Sequence, residues 1–150
     1  MAVLDKTIII DAPVEKIFDF IIKPESWKEI YPRITNIEKV QSLPTGGYRY
    51  HCKFDMFAGM KCEVDTENTE VVANKRLGYH NTCSLLGKTN IEIDEALSFH
   101  SEDGKTKLTY HASNKVPFPI IHDFIETLLM KMNERMLNKC LTNLKTKMEA

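Results

Sequence analysis

Hydrophobic and polar positions change rhythm several times along the chain, and each change predicts an element. Val3 to Asp11 contains the run Thr7-Ile8-Ile9-Ile10 and reads as a strand. Asp11-Ala12-Pro13 then starts a helix, with Asp11 as a cap, Pro13 suited to the first turn and Glu15 at the positive end. Val14, Ile17, Phe18 and Ile21 recur at helical spacing, so this short helix buries one face. Pro24 stops it. A second short helix, Glu25 to Tyr31, carries Trp27 and Ile30 and ends before Pro32.

From there to about Val116, strand-like runs alternate with turn signals, the mark of an antiparallel meander. The predicted strands are Ile34–Leu43, Tyr48–Met56, Met60–Val72, Arg76–Leu85, Asn90–His100 and Lys105–Val116. Between them stand Pro44-Thr45-Gly46-Gly47, Gly59, Asn74-Lys75, Gly87-Lys88 and Asp103-Gly104. After Val116-Pro117-Phe118-Pro119 a helical period runs nearly to the end. A helix of about 30 residues is about 45 Å long, enough to cross a whole sheet.

Two strands allow a sharper reading. In Tyr48–Met56 the apolar side is Tyr48, Tyr50, Cys52, Phe54 and Met56, and in the next strand it is Met60, Cys62 and Val64. Keeping these on one face requires an odd loop. Phe57-Ala58-Gly59 fits, with Gly59 in the left-handed position of a bulged turn. The resulting register pairs Met56 with Met60, Phe54 with Cys62 and Cys52 with Val64.

Composition narrows the class. A length of 150 residues with 43% hydrophobic and 27% charged residues predicts one globular domain, residues 1–150, with no repeat or linker. The net charge is −1 with both signs mixed, which gives a nucleic-acid partner no electrostatic support. No apolar run reaches the roughly 20 residues of a membrane span, and no leader pattern opens the chain, so a cytoplasmic address is expected. Cys52, Cys62, Cys83 and Cys140 form no C-x-x-C pair and read as buried thiols, with no metal or cofactor site expected.

Several stretches carry a family resemblance: Ile10-Asp11-Ala12-Pro13-Val14-Glu15-Lys16-Ile17-Phe18, Pro24-Glu25-Ser26-Trp27, Tyr31-Pro32-Arg33-Ile34, Asn74-Lys75-Arg76-Leu77-Gly78-Tyr79 and Leu144-Lys145. With the order of elements, they resemble the START-like (SRPBCC) superfamily, which includes polyketide cyclases and dehydrases, coenzyme Q-binding proteins and birch pollen allergen relatives. The resemblance implies an α+β helix-grip fold. In it a curved antiparallel sheet of about seven strands and the long C-terminal helix enclose a cavity for a hydrophobic ligand.

By alternation, Tyr50, Phe54, Cys62, Tyr79, Asn81 and Tyr110 face that cavity from the sheet, among other inward positions. The helix opposes them with Ile121, Phe124, Ile125, Leu128 and Met132. Leu137, Cys140, Leu144 and Met148 cluster more than about 90° further round, at roughly 100° per residue. The second half of the helix is therefore expected to pack on the sheet and first helices, or to offer an apolar patch to a protein partner.

His51, His80, His100 and His111 each neighbour an inward residue and so point outward, while His122 lies beside the cavity stripe of the helix. Glu95 shares its parity with Ile93 and Leu97, and a bulge is expected to return it to solvent. No catalytic motif is present, so no catalytic residue is assigned. The leading expectation is a non-enzymatic carrier or sensor of a lipid, isoprenoid, quinone or polyketide-like molecule. A cyclase or dehydrase using Tyr50, Tyr110 or His122, and a protein-interaction module acting on a chaperone or ribosome, stay open.

Overall fold

The computed structural model of the protein describes residues 2–55, 59, 61–85, 89–115 and 122–150, with side chains of the C-terminal helix from Lys131 onward. In chain order the elements are β1 (Ala2–Ile10), α1 (Val14–Ile21), α2 (Pro24–Ile30), β2 (Ile34–Ser42), β3 (Tyr48–Asp55), β4 (Lys61–Val72), β5 (Arg76–Leu85), β6 (Thr89–Glu102), β7 (Lys105–Lys115) and α3 (His122–Glu149). The expected α+β helix-grip architecture is observed, and element boundaries agree within a few residues.

The helix starts differ in detail from expectation. Pro13 itself occupies the N-cap of α1, and no side chain caps it. Asp11 instead offers its backbone N–H to Glu149 Oε2 at 2.8 Å, which ties the start of the chain to the end of α3. Pro24 both ends α1 and opens α2, because a missing N–H costs nothing in the first turn of a helix. Val14, Ile17, Phe18 and Ile21 are buried along α1, as their spacing requires.

The strands form one antiparallel sheet in the order β1-β7-β6-β5-β4-β3-β2. Phe54 pairs with Cys62 and Cys52 with Val64, the register expected from the apolar faces. Gly59 has a φ of 73°, the left-handed value expected there, while Met56 and Met60 lie outside the described residues. Register shifts interrupt β2–β3 at Ile34/Asn36 and Glu38/Gln41, and β4–β5 at Asn68/Glu70. Such bulges bend a sheet locally. Gly78 sits at the last of these, where a Cβ would stand 2.7 Å from Thr69 Oγ1. The β5–β6 and β6–β7 ladders run without a shift.

The second half of α3 seals one end of the concave face. Leu137, Cys140, Leu141, Leu144 and Met148 are buried with Ile10, Ile17, Phe18, Leu77, Leu97 and Leu108. Polar ties anchor the same region: Lys145 Nζ donates to the Ile9 carbonyl, and Lys16 Nζ to the Met148 carbonyl, each at 2.7 Å. Asn143 Nδ2 adds a 2.9 Å bond to the carbonyl of Ile30. The drift of the apolar stripe is thus explained by packing. Leu137 and Leu144 are covered and form no exposed patch for a partner. Among the described residues no helix is long and apolar enough to cross a membrane.

Candidate ligand-binding site

Beyond the end sealed by the second half of α3, the concave face borders a cavity of about 150 Å³. Period-2 alternation aims the lining into it from each strand. Tyr50, Cys52 and Phe54 come from β3, Cys62, Val64 and Thr66 from β4, and Tyr79, Asn81 and Cys83 from β5. Ile93 and Glu95 come from β6 and Tyr110 from β7. Trp27 and Tyr31 close the α2 side, and Asn133, Met136 and Leu137 face the sheet from α3.

The six sheet residues expected at the cavity, Tyr50, Phe54, Cys62, Tyr79, Asn81 and Tyr110, all line it. Ile121 and the side chains of Phe124, Ile125, Leu128 and His122 lie outside the described residues. Met132 is half-buried but does not line the cavity; Asn133 and Met136 take that place. Four sheet histidines point outward as expected. His51, His80 and His111 each stand opposite an aspartate on the neighbouring strand, respectively Asp65, Asp94 and Asp5. Asp65 holds the His51 imidazole above its ordinary pKa through this hydrogen bond.

Glu95 overturns the expectation made for it. With no bulge in either flanking ladder, it pairs regularly with Tyr79 and Ala112 and keeps the inward parity of Ile93 and Leu97. Its carboxyl is met by two donors. Tyr110 Oη donates to Oε2 at 2.5 Å, and Asn81 Nδ2 donates to Oε1. Thr66 Oγ1 in turn donates to Asn81 Oδ1 at 2.7 Å, which orients the amide. Burial pushes the Glu95 pKa up, and the bonds from Tyr110 and Asn81 pull against that rise. Burial, with the nearby Glu95 charge, also drives the Tyr110 hydroxyl well above its ordinary value. The signal for Glu95 was its parity; the missing knowledge was that hydrogen-bonding partners await it inside.

The four cysteines are free, and Cys52, Cys62 and Cys83 face the cavity. Burial raises the Cys52 thiol to about 12, so it is a neutral apolar group. Cys62 and Cys83 touch, with sulfurs 3.2 Å apart; the contact lowers the pKa of Cys62 and raises that of Cys83. The Tyr79 hydroxyl and Trp27 Nε1 are both buried, and their rings pack edge to face at 5.7 Å. Tyr31 and Phe54 make a second edge-to-face pair at 5.5 Å. The arrangement is a mostly apolar, aromatic-rich chamber with one carboxyl held in a fixed orientation. Such a chamber can enclose a hydrophobic body and hydrogen-bond a single polar group.

The sequence matches the family described as polyketide cyclase / dehydrase and lipid transport over residues 1–149. The chain belongs to this family. Solved structures share the fold at low identity. A conserved protein from Geobacillus kaustophilus superposes with a TM-score of 0.80 at 12% identity, covering 98% of this chain and 95% of that one. A START superfamily protein from Mycobacterium smegmatis gives 0.74 at 14% identity, with 98% and 97% covered. The di-domain ARO/CYC BexL from the BE-7585A biosynthetic pathway gives 0.76 at 15% identity, covering 99% of this chain and 50% of that one. No curated protein matches the chain by sequence. This family member thus has a START-like fold.

Proposed function

We propose that the protein binds a hydrophobic small molecule in the cavity between sheet and α3, as a carrier or sensor and not as an enzyme. The observation that carries this reading is an aromatic and aliphatic wall interrupted by one oriented carboxyl, Glu95. Family membership supports it, and the ligand classes that suit it are lipid, isoprenoid, quinone or polyketide-like molecules. A cavity of about 150 Å³ suits a ring-sized group, as comparable apolar cavities do. In this reading residues 1–150 act as one unit, with Tyr50, Phe54, Cys62, Tyr79, Asn81 and Tyr110 as contacts. A reducing cytoplasm suits the four free thiols.

Native mass spectrometry against a panel of hydrophobic compounds tests the reading. At least one compound should be retained by the wild type and lost from Val64→Phe, which fills the cavity. Retention of none, or equal retention by the filled variant, would overturn it. A second reading, a cyclase or dehydrase, is favoured by one observation: Glu95 and Tyr110 form a hydrogen-bonded acid pair facing the cavity. In that case Glu95→Gln abolishes turnover of a polyketide-like substrate while leaving its binding intact.

A further inference from the structure

We infer that the cavity takes the ammonium group of a small organic amine, with Glu95 as its counter-charge and the surrounding aromatic side chains as its cage. This deepens the ligand-binding reading and rests on it.

The inference starts from hydrogen-bond directions. Asn81 Oδ1 accepts from Thr66, and Asn81 Nδ2 lies 3.5 Å from the carbonyl of Ile93, a neighbour only an N–H can serve. The amide nitrogen therefore faces Glu95, and Oε1 accepts from it. Oε2 accepts from Tyr110. Both oxygens receive donors, which is the arrangement of an ionised carboxylate. A carboxylate has about four acceptor positions, so about two remain for a ligand donor.

A negative charge on an apolar wall is costly unless paired. Among the described lining residues there is no Lys, Arg or His to pair with Glu95. Residues 116–130 include no Lys or Arg, and their one histidine, His122, has a side chain outside the described residues. Among the described residues no cation pairs with Glu95, so a positive charge is left for the ligand to supply. Six aromatic residues line the same space: Trp27, Tyr31, Tyr50, Phe54, Tyr79 and Tyr110. Aromatic ring faces attract cations, and most strongly where water is excluded. An anionic headgroup would meet Glu95 with no compensating cation. Burial raises the Glu95 pKa in the empty cavity, and a bound cation would lower it again.

Isothermal titration of the full chain at neutral pH with benzylammonium and with benzyl alcohol, a neutral probe of nearly the same shape, tests the inference. Benzylammonium should bind at least about tenfold tighter than the alcohol, a preference within reach of one ion pair plus cation–π contact. Glu95→Gln should abolish that preference, with benzylammonium binding no tighter than benzyl alcohol. Should this variant not fold, the wild-type pair of titrations decides alone. Alcohol binding as tight as ammonium binding, or a preference that survives Glu95→Gln, overturns the inference. If benzyl alcohol or the panel compounds bind and benzylammonium does not, the cavity reading stands and the cation falls. If nothing binds, both fall.

Discussion

The concave face of one sheet is used in two ways. At the end covered by α1 and the second half of α3, Ile10, Ile17, Leu77, Leu97, Leu108 and Leu144 are at most 2% exposed and pack solid. At the other end Tyr50, Cys52, Cys62 and Val64 form a separate cluster beside a cavity with a carboxyl in its wall. Both ends obey the same alternation of inward and outward residues. Among the described residues the difference lies in what is laid on top: branched aliphatics from two helices at one end, and at the other an edge of α2 with Asn133 and Met136 of α3. Solid packing stabilises the fold, and the open end is free to hold Asn81, Glu95 and Tyr110 for another purpose.

The largest expected effect comes from the packed end. Leu144→Ala should cost about 3–5 kcal/mol in chemical denaturation, because the closed surroundings cannot collapse into the space left behind. Ile93→Ala, of equal volume change but bordering existing space, should cost about 2 kcal/mol or less, since fewer contacts are lost. Equal costs would break the contrast between the two ends.

Glu95 offers a sharper measure. Its pKa is raised above the ordinary 4.5, so its contribution to stability is fully present below that value and lost as pH rises through the folded value. Denaturation of wild type and Glu95→Gln across this range should converge at acid pH. At neutral pH the variant should be more stable by about 1–3 kcal/mol, the penalty of a buried charge that is hydrogen-bonded but has no counter-ion among the described residues. A difference that does not change with pH would show that Glu95 carries no such penalty.

The outer face supplies the smallest effect. Asp65→Asn removes the stronger of two acidic partners of His51, the other being Glu63; the raised pKa gives stability present below the ordinary 6.5 and lost as pH rises through the folded value. Because Asp65 is largely exposed, the expected loss is a few tenths of a kcal/mol and confined to the acid side. Comparing Asp65 with Glu95 thus separates a solvated acid from an enclosed one on the two faces of the same sheet.

Much of this was legible in the residues. Alternation in β3 and β4 predicted both their register and the inward set, since a slip of one position would turn Phe54 and Cys62 to water. Outward histidines followed from the same rule. Glu95 was misread because a charged residue at an inward position is costly alone, and a bulge was the cheaper remedy. Its remedy is instead a hydrogen-bonded network assembled from β4, β5 and β7, residues as far as 29 positions away in sequence for Thr66. No local pattern announces such a network.

The sequence by itself determined the order of elements, the strand faces and the bare parity that aims Glu95 inward, because these depend on periods of 2 and 3.6 residues and on turn chemistry. Tertiary structure decided which inward residues pack solid and which border a cavity. It also decided that Asn133 and Met136, not Met132, face that space. The physical reason is that a helix presents its whole circumference, and only its angle across a bent sheet selects the part that meets the strands. Strand pairing sets Asn81 and Tyr110 diagonally beside Glu95 on the two neighbouring strands, and so turns an unfavourable residue into the polar centre of the site.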